Sequence, residues 1–154
     1  MKIYFDTCTY INLLTKKNKN IFKLFIKLIK DNKIELIISH GIYDDGFRKK
    51  INNIPKTEVP TGCFVLGYSR WGKSRFGDPE GIYHELTKEL PDKSKNKNSV
   101  WDAIHYCTAH VEKVDFFVTD DLKLIKKINK RVKKPVKTIK FVDFSNMLKN
   151  IPSA

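Results

Sequence analysis

The chain has 154 residues, which suits one domain large enough to bury a hydrophobic core without disulfides or a structural metal. Its composition, 41% hydrophobic and 31% charged residues with a net charge of +13, excludes a disordered chain and favours a polyanionic partner such as nucleic acid. A general excess of lysine would explain the same charge, so charge alone does not establish nucleic-acid binding. No apolar run approaches the roughly 18 residues that span a bilayer, and no signal peptide is visible, so we expect no membrane contact.

The three cysteines bear on the cellular compartment. Cys8, Cys63 and Cys107 cannot all pair within one chain, and none of them forms a CxxC motif. This usage fits a reducing environment, and we therefore expect a cytoplasmic protein in which the thiols are small buried side chains.

The first part of the chain predicts two strands separated by helices. Residues 3–5 are typical of a buried strand, and Asp6 follows at its carboxyl end. A helical apolar pattern resumes at Ile11, and an amphipathic helix with a lysine stripe is predicted over 21–30. A second buried strand is predicted over 34–40.

The rest of the chain predicts a long loop and then alternating helices and strands. Clustered glycine and proline over about 55–79 predict an exposed loop, in which only CFVLGY (63–68) has a strand-like pattern. The elements predicted after this loop are a helix over 80–90, a helix over 99–113 capped by Asn98 or Ser99, a strand over 115–121, a helix over 122–132, a strand over 137–144 and a helix over 145–151. This order predicts one α/β domain over 1–154 with a mainly parallel central sheet of four to five strands flanked by helices.

Carboxylates stand at several boundaries between the predicted elements. Asp6 ends the first strand, Asp120 and Asp121 end the third, and Asp44 and Asp102 lie near helix starts. The carboxyl ends of parallel strands meet at one edge, and two carboxylates about 4 Å apart repel by about 4 kcal/mol at an effective dielectric constant of about 20. A divalent cation relieves this repulsion, and oxygen ligands favour Mg²⁺ or Mn²⁺ over zinc. Each Asp taken singly is better explained as a helix cap, whereas the whole set at one edge favours a site.

Four segments carry these acids in chain order: IYFDTCTYINLL, IISHGIYDDG, NSVWDAIHYCTAH and DFFVTDD. Together they resemble the motifs of the PIN-domain family, and the chain is similar to the VapC-like toxin ribonucleases over nearly its whole length. The resemblance implies a three-layer PIN-like fold and a metal-dependent endoribonuclease that cleaves single-stranded or loop RNA. It also implies the toxin of a toxin–antitoxin pair, with an antitoxin protein as a partner.

The resemblance assigns roles to individual residues. Asp120 joins the metal ligands at a position that is often Asn in the family, and Thr119 would orient the cluster. The family usually has Glu as its second acid, so Asp45 either supports Asp44 or replaces it. The resemblance implies that four acids both bind the metal and take part in catalysis: Asp6, Asp44, Asp102 and Asp121.

Two other functions remain open. The first is a non-catalytic RNA-binding or protein-interaction module with a PIN fold and an impaired metal site. The ambiguity between Asp44 and Asp45 as the second acid favours this alternative. The second is a haloacid-dehalogenase-like phosphatase, with a nucleophilic Asp6 at a strand end. That family needs a second Asp two residues later, where this chain has Cys8.

The loop over about 55–79 interleaves cations with aromatic residues. Arg70, Trp71, Lys73 and Arg75 form an RNA-binding set, since cations bind phosphates and aromatic faces stack on single-stranded bases. The alternative is that Trp71 and Phe76 pin the loop to the body as a small hydrophobic cluster while the arginines face solvent. The same loop is suited to binding an antitoxin protein or a second copy of the chain as a homodimer.

Overall fold

A computed structural model of the chain describes residues 1–40, 51–66, 68–69, 72–90 and 96–152. The strands within these ranges are β1 (Lys2–Phe5), β2 (Glu35–Ser39), β3 (Thr57–Val59), β4 (Phe116–Val118) and β5 (Thr138–Ile139). They form one sheet in the order β3-β2-β1-β4-β5, and every neighbouring pair is parallel. The predicted α/β class with a parallel central sheet is therefore confirmed.

Helices follow or connect the strands. The α-helices in the described ranges are α1 (Thr7–Leu13), α2 (Lys19–Lys30), α3 (Ile82–Thr87), α4 (Lys97–Val111), α5 (Leu122–Arg131) and α6 (Phe141–Lys149). Short 3₁₀ turns cover Lys16–Asn18 and Pro79–Gly81. Within the ranges that the structure describes, no helix combines the length and the apolar character needed to cross a membrane.

The sheet is covered on both faces, which gives three layers. In β1, Tyr4 belongs to a hydrophobic cluster with α3, α4 and α5, whereas Ile3 and Phe5 belong to a second cluster with α1, α2 and α6. Successive residues of a strand point to opposite faces, so a strand covered on both sides must be apolar throughout. This explains why residues 3–5 form an unbroken buried run and why the polar Asp6 marks the end of the strand.

The segment predicted to be a long loop differs from the prediction in two places. CFVLGY does not form a strand in its described part, because the Ser69 hydroxyl accepts the Val65 N–H (2.7 Å) and the Tyr68 N–H bonds to the Val65 carbonyl (3.0 Å). These local bonds use backbone groups that a strand would pair. The edge strand β3 forms instead, inside the segment that was predicted to be a loop.

Boundaries also differ in the second half of the chain. The helix predicted over 99–113 begins earlier, at Lys97, with Asn96 as its N-cap residue in place of Asn98 or Ser99. The strand predicted over 137–144 is divided, because β5 ends at Ile139 and α6 begins at Phe141. The side chain of Asp120 accepts the Phe141 N–H at 3.0 Å, and this contact fixes the start of α6.

Gly62 brings the 55–79 segment into direct contact with α4. Its N–H donates to the Thr108 hydroxyl at 2.9 Å, and a Cβ atom at this position would lie 2.5 Å from the Thr108 backbone nitrogen. A helix backbone cannot move away cheaply, so only glycine fits here.

We expect Gly62→Ala to lower the free energy of unfolding by about 1–3 kcal/mol, because the added methyl group overpacks this contact. Urea denaturation followed by circular dichroism measures the change. Leu66→Ala is the control from the same segment, since Leu66 is 90% exposed and its loss is expected to change stability by less than about 0.5 kcal/mol. Equal stabilities for wild type and Gly62→Ala would contradict the packed contact.

Candidate active site at the carboxyl edge of the sheet

A cavity of about 520 Å³, here called the acid cavity, opens where β1 and β4 end and α4 begins. Four carboxylates line it, and they belong to Asp6, Asp102, Asp120 and Asp121. Its other lining residues are Thr7, Cys8, Ile11, Asn98 and Trp101. The structure thus brings together every sequence-predicted acid that lies in its described part.

Asp6 is the most buried of these acids, with 3% of its surface exposed. The backbone holds it at the end of β1, because its N–H donates to the Val118 carbonyl at 3.1 Å. The Thr119 hydroxyl donates to Asp6 Oδ2 at 2.6 Å, and the Cys8 thiol donates to the same oxygen at 3.2 Å. Both bonds use Oδ2, and in the described part of the chain no hydrogen bond reaches Oδ1.

Cys8 serves as a neutral hydrogen-bond donor in this site. Burial and then the negative charge of Asp6 raise the pKa of the Cys8 thiol to about 11. The thiol is therefore protonated at neutral pH, where it donates to Asp6 while its sulfur accepts the Asp120 N–H at 3.4 Å. A protonated thiol is a poor nucleophile, so Cys8 contributes to the site through orientation.

Asp120 has a structural task on the side of α1 and α6. Its Oδ2 accepts the Asn12 side-chain amide at 2.6 Å, and its Oδ1 accepts the Phe141 N–H at 3.0 Å. One carboxylate thus joins the end of β4 to α1 and to the first turn of α6. These contacts favour the interpretation of Asp120 as a cap over its predicted part as a metal ligand.

Asp121 caps α5 and also lines the acid cavity. Its Oδ1 accepts the N–H groups of Lys123 (2.8 Å) and Leu124 (3.0 Å), which is the bonding expected of an N-cap residue. Its own N–H donates to the Thr119 hydroxyl at 3.1 Å. Thr119 therefore orients Asp6 through a side-chain bond and Asp121 through a backbone bond.

The second acid predicted from the sequence cannot be placed. Asp44 and Asp45 both lie outside the described residues. Asp102 stands on α4, half-buried beside Trp101. Among the residues that the structure describes, no group of three or more His, Cys, Asp or Glu side chains is arranged to hold a metal ion. The carboxylate oxygens of the cavity suit Mg²⁺ or Mn²⁺ chemically, and the ligand set that the resemblance implies also includes Asp44.

A buried polar network joins residues of β1, β2 and α4. The Tyr4 hydroxyl is 2.7 Å from Ser39 Oγ and 2.9 Å from His105 Nδ1, and all three residues are buried. Burial raises the pKa of the Tyr4 hydroxyl, which therefore remains neutral. The network fastens β1 to β2 and α4, and His105 is an interior histidine whose described contacts lie in the core.

Sequence reasoning missed Asn12 and the hydrogen bonds of Cys8. Asn12 interrupts the apolar run INLL between Ile11 and Leu13, and a polar side chain within such a run is a signal of a buried partner. Nothing near Asn12 in sequence names that partner, because Asp120 is 108 positions away.

The predicted RNA-binding loop is only partly described. Arg70 and Trp71 lie outside the described residues, and Lys73 is exposed. The Arg75 guanidinium forms an ion pair with Glu112, the residue that ends α4 on the side away from the acid cavity. Glu112 therefore neutralises the charge of Arg75. RNA binding by this loop stays a prediction.

Aromatic residues of the loop divide between solvent and α4. Phe76 is 80% exposed and stacks on Phe64 with ring centroids 6.2 Å apart, so Phe76 does not pin the loop to the body. Tyr68 does so instead, because its ring packs edge-on against Trp101 at 5.4 Å. This contact connects the loop to a wall of the acid cavity.

Comparison of the chain with models of known protein families gives no match, and comparison with curated protein sequences gives none. The resemblance to the PIN-domain family therefore stays a prediction.

We expect Asp120→Ala to reduce the free energy of unfolding by about 1–2 kcal/mol, because it leaves the Phe141 N–H and the Asn12 amide without their acceptor. Chemical denaturation measures the loss. Asp143→Ala is the matched control, since it removes an exposed acid from the first turn of the same helix at an expected cost of about 0.5 kcal/mol or less. Equal losses in the two variants would show that Asp120 acts only through its charge.

Proposed function

We propose that the protein is a metal-dependent endoribonuclease that cleaves single-stranded or loop RNA. The observation that carries this proposal is the acid cavity itself, which Asp6, Asp102 and Asp121 line from three different elements. Like charges that line one cavity repel one another, and a bound cation would relieve that repulsion. Asp44 or Asp45 follows β2, the strand next to β1, and would complete the set of acids.

The ion would be Mg²⁺ or Mn²⁺, held by Asp6, Asp102, Asp121 and the acid from 44–45. When bound, it supplies activation of the attacking water and stabilises the negative charge that develops on the leaving oxygen of the phosphodiester. The residues of the chain supply orientation. Thr119 and Cys8 fix Asp6 through Oδ2, and in the described part of the chain no hydrogen bond occupies Oδ1.

The protonation of Cys8 bears on which nucleophile attacks the phosphodiester. The thiol of Cys8, with its pKa at about 11, is protonated at neutral pH and donates to Asp6. Hydrolysis by water therefore fits this site better than covalent catalysis by a side chain. The positive charge of the chain, +13, supports a polyanionic substrate, and the choice of RNA over DNA rests on the family resemblance.

A second candidate function has a specific observation in its favour. Asp120 and Asp121 both accept hydrogen bonds as helix caps, which gives them a reason to be present without a metal. A non-catalytic RNA-binding or protein-interaction module would keep them for that reason alone. Metal binding separates the two candidates.

We expect Asp121→Asn to reduce cleavage of single-stranded RNA by more than about 100-fold while the protein stays folded. Asn caps helices as well as Asp does, so the variant removes the charge and keeps the cap. The melting temperature without metal is expected to equal or slightly exceed that of wild type, because repulsion within the cavity falls. Mn²⁺ should raise the melting temperature of wild type, and EDTA should abolish that rise. The Asp121→Asn variant should show no rise with Mn²⁺.

Asp143→Asn is the control for that experiment, because Asp143 is an exposed acid on α6 outside the acid cavity. It should retain both the cleavage rate and the response to Mn²⁺. Near-wild-type cleavage by metal-loaded Asp121→Asn would overturn the assignment of the site. Wild-type protein that binds RNA but neither responds to Mn²⁺ nor cleaves would favour the non-catalytic module.

The choice between Asp44 and Asp45 has its own test. Neighbouring residues of a helix point about 100° apart, so only one of the two can face the cavity if both lie on a helix. We expect Asp44→Asn to abolish cleavage and Asp45→Asn to retain it, following the spacing that the resemblance implies. The opposite result would assign the second acid to Asp45.

A further inference from the structure

Two smaller grooves share lining residues with the acid cavity. A groove of about 390 Å³ lies between α1 and α6, and it shares Asp120 with the acid cavity. A groove of about 200 Å³ lies between α4 and α5, and it shares Asp102 and Asp121 with the acid cavity. We call these the α6 groove and the α5 groove.

The two grooves belong to opposite layers of the fold. Helices α1 and α6 pack on one face of the sheet, and α4 and α5 pack on the other. The acid cavity at the sheet edge lies between them. A ligand that occupies all three must therefore pass over the edge of the sheet from one helical layer to the other.

The α6 groove is rich in hydrogen-bond donors and positive charge. Lys17 and Lys149 line it and are exposed, and Asn146 adds an exposed amide. Val142, which is 57% exposed, adds an apolar surface. The acid of this groove, Asp120, has both oxygens engaged by the protein, so the groove presents cations and amides to a ligand. This chemistry suits a phosphate and a base.

The α5 groove repeats the positive charge on the other side. Lys123 and Lys127 line it, four residues apart on α5 and so on one face of the helix, together with Ser99 from the first turn of α4. Within the described part of the chain, neither these lysines nor Lys17 and Lys149 take part in an ion pair. Their charges are available to an anionic ligand.

From this arrangement we infer that one nucleic-acid strand crosses the sheet edge, with phosphates held by lysines in the α6 groove and in the α5 groove and with the phosphate between them at the acid cavity. The flanking lysines offset the repulsion between the central acids and the phosphates of the strand. A strand held on both sides is cut internally, whereas an enzyme that removes nucleotides from an end needs one side only. The inference rests on the proposed function and specifies how its substrate lies.

The path also selects a single strand. It turns over the edge of the sheet within the length of one domain, and a nucleic-acid duplex resists bending over such short distances because its persistence length is about 50 nm. A single strand bends freely at each backbone linkage. An acidic protein segment is the other polyanion of comparable flexibility, and the experiment below distinguishes it.

The test is a salt titration of the affinity of the full-length chain for a fluorescent oligouridine RNA in EDTA. Each phosphate contact contributes about 0.7 to the slope of log affinity against log salt for a single strand. We expect Lys17→Ala with Lys149→Ala, and separately Lys123→Ala with Lys127→Ala, to flatten the slope by up to about 1.4 each. The control removes two charges outside both grooves, as Lys27→Ala with Lys30→Ala on the last turn of α2, and should leave the slope unchanged.

Either lysine pair leaving the slope unchanged would overturn the crossing path. Unchanged slopes for both pairs would indicate that the grooves bind another polyanion, such as an acidic protein segment. A duplex of matched length that binds as tightly as the single strand, with the same losses of slope, would also overturn the inference.

A circular single-stranded RNA, incubated with Mn²⁺, tests internal cutting. We expect wild type to open the circle, because the strand needs no end to cross the cavity. Shortening of linear RNA from one end, with circles left intact, overturns the crossing path and keeps the nuclease. Losses of slope without cleavage of either RNA keep the crossing path and overturn the nuclease.

Discussion

The edge of the sheet depends on the bond from the Thr119 hydroxyl to Asp6 Oδ2, at 2.6 Å. The same hydroxyl accepts the Asp121 N–H at 3.1 Å, so one oxygen orients the acid that follows β1 and the acid that caps α5. A carboxylate that is 3% exposed is costly to bury unless donors satisfy it, and Thr119 and Cys8 are those donors. Without them, the Asp6 carboxylate would be buried without hydrogen-bond donors, and its orientation in the acid cavity would no longer be fixed.

Asp120 and Asp121, which follow β4, contact different layers of helices. The side chain of Asp120 reaches α1 and the start of α6, whereas Asp121 begins α5 on the opposite face. This divergence is possible because successive side chains of an extended segment point in opposite directions. The end of one strand therefore positions a helix on each face of the sheet, and the grooves that those helices border meet at the cavity between them.

The sequence was most informative where one local pattern decides the structure. Residues 3–5 predict a strand covered on both faces, because three successive large β-branched or aromatic side chains that end at an acid are typical of a buried strand. Prediction failed where distant partners decide. The stretch 137–144 has a strand-like composition, but Phe141 starts a helix because its N–H finds Asp120, 21 positions earlier. The acids of the site could likewise be located by their place at the boundaries of predicted elements. The hydrogen bonds from their oxygens to Asn12 or to a helix end could not be predicted.

Helix capping limits what can be inferred about function from the presence of the carboxylates. A cap gives Asp120 and Asp121 a contribution to stability that persists without any metal, so their presence alone fits a nuclease and a non-catalytic module equally well. The oxygens that the protein leaves unused carry more information. Asp6 commits Oδ2 to the Thr119 hydroxyl and the Cys8 thiol, and in the described part of the chain its Oδ1 accepts no hydrogen bond. A cation at the acid cavity would use a carboxylate oxygen that the described residues leave open, so Asp6 supports the proposed metal site more strongly than the acids that double as caps.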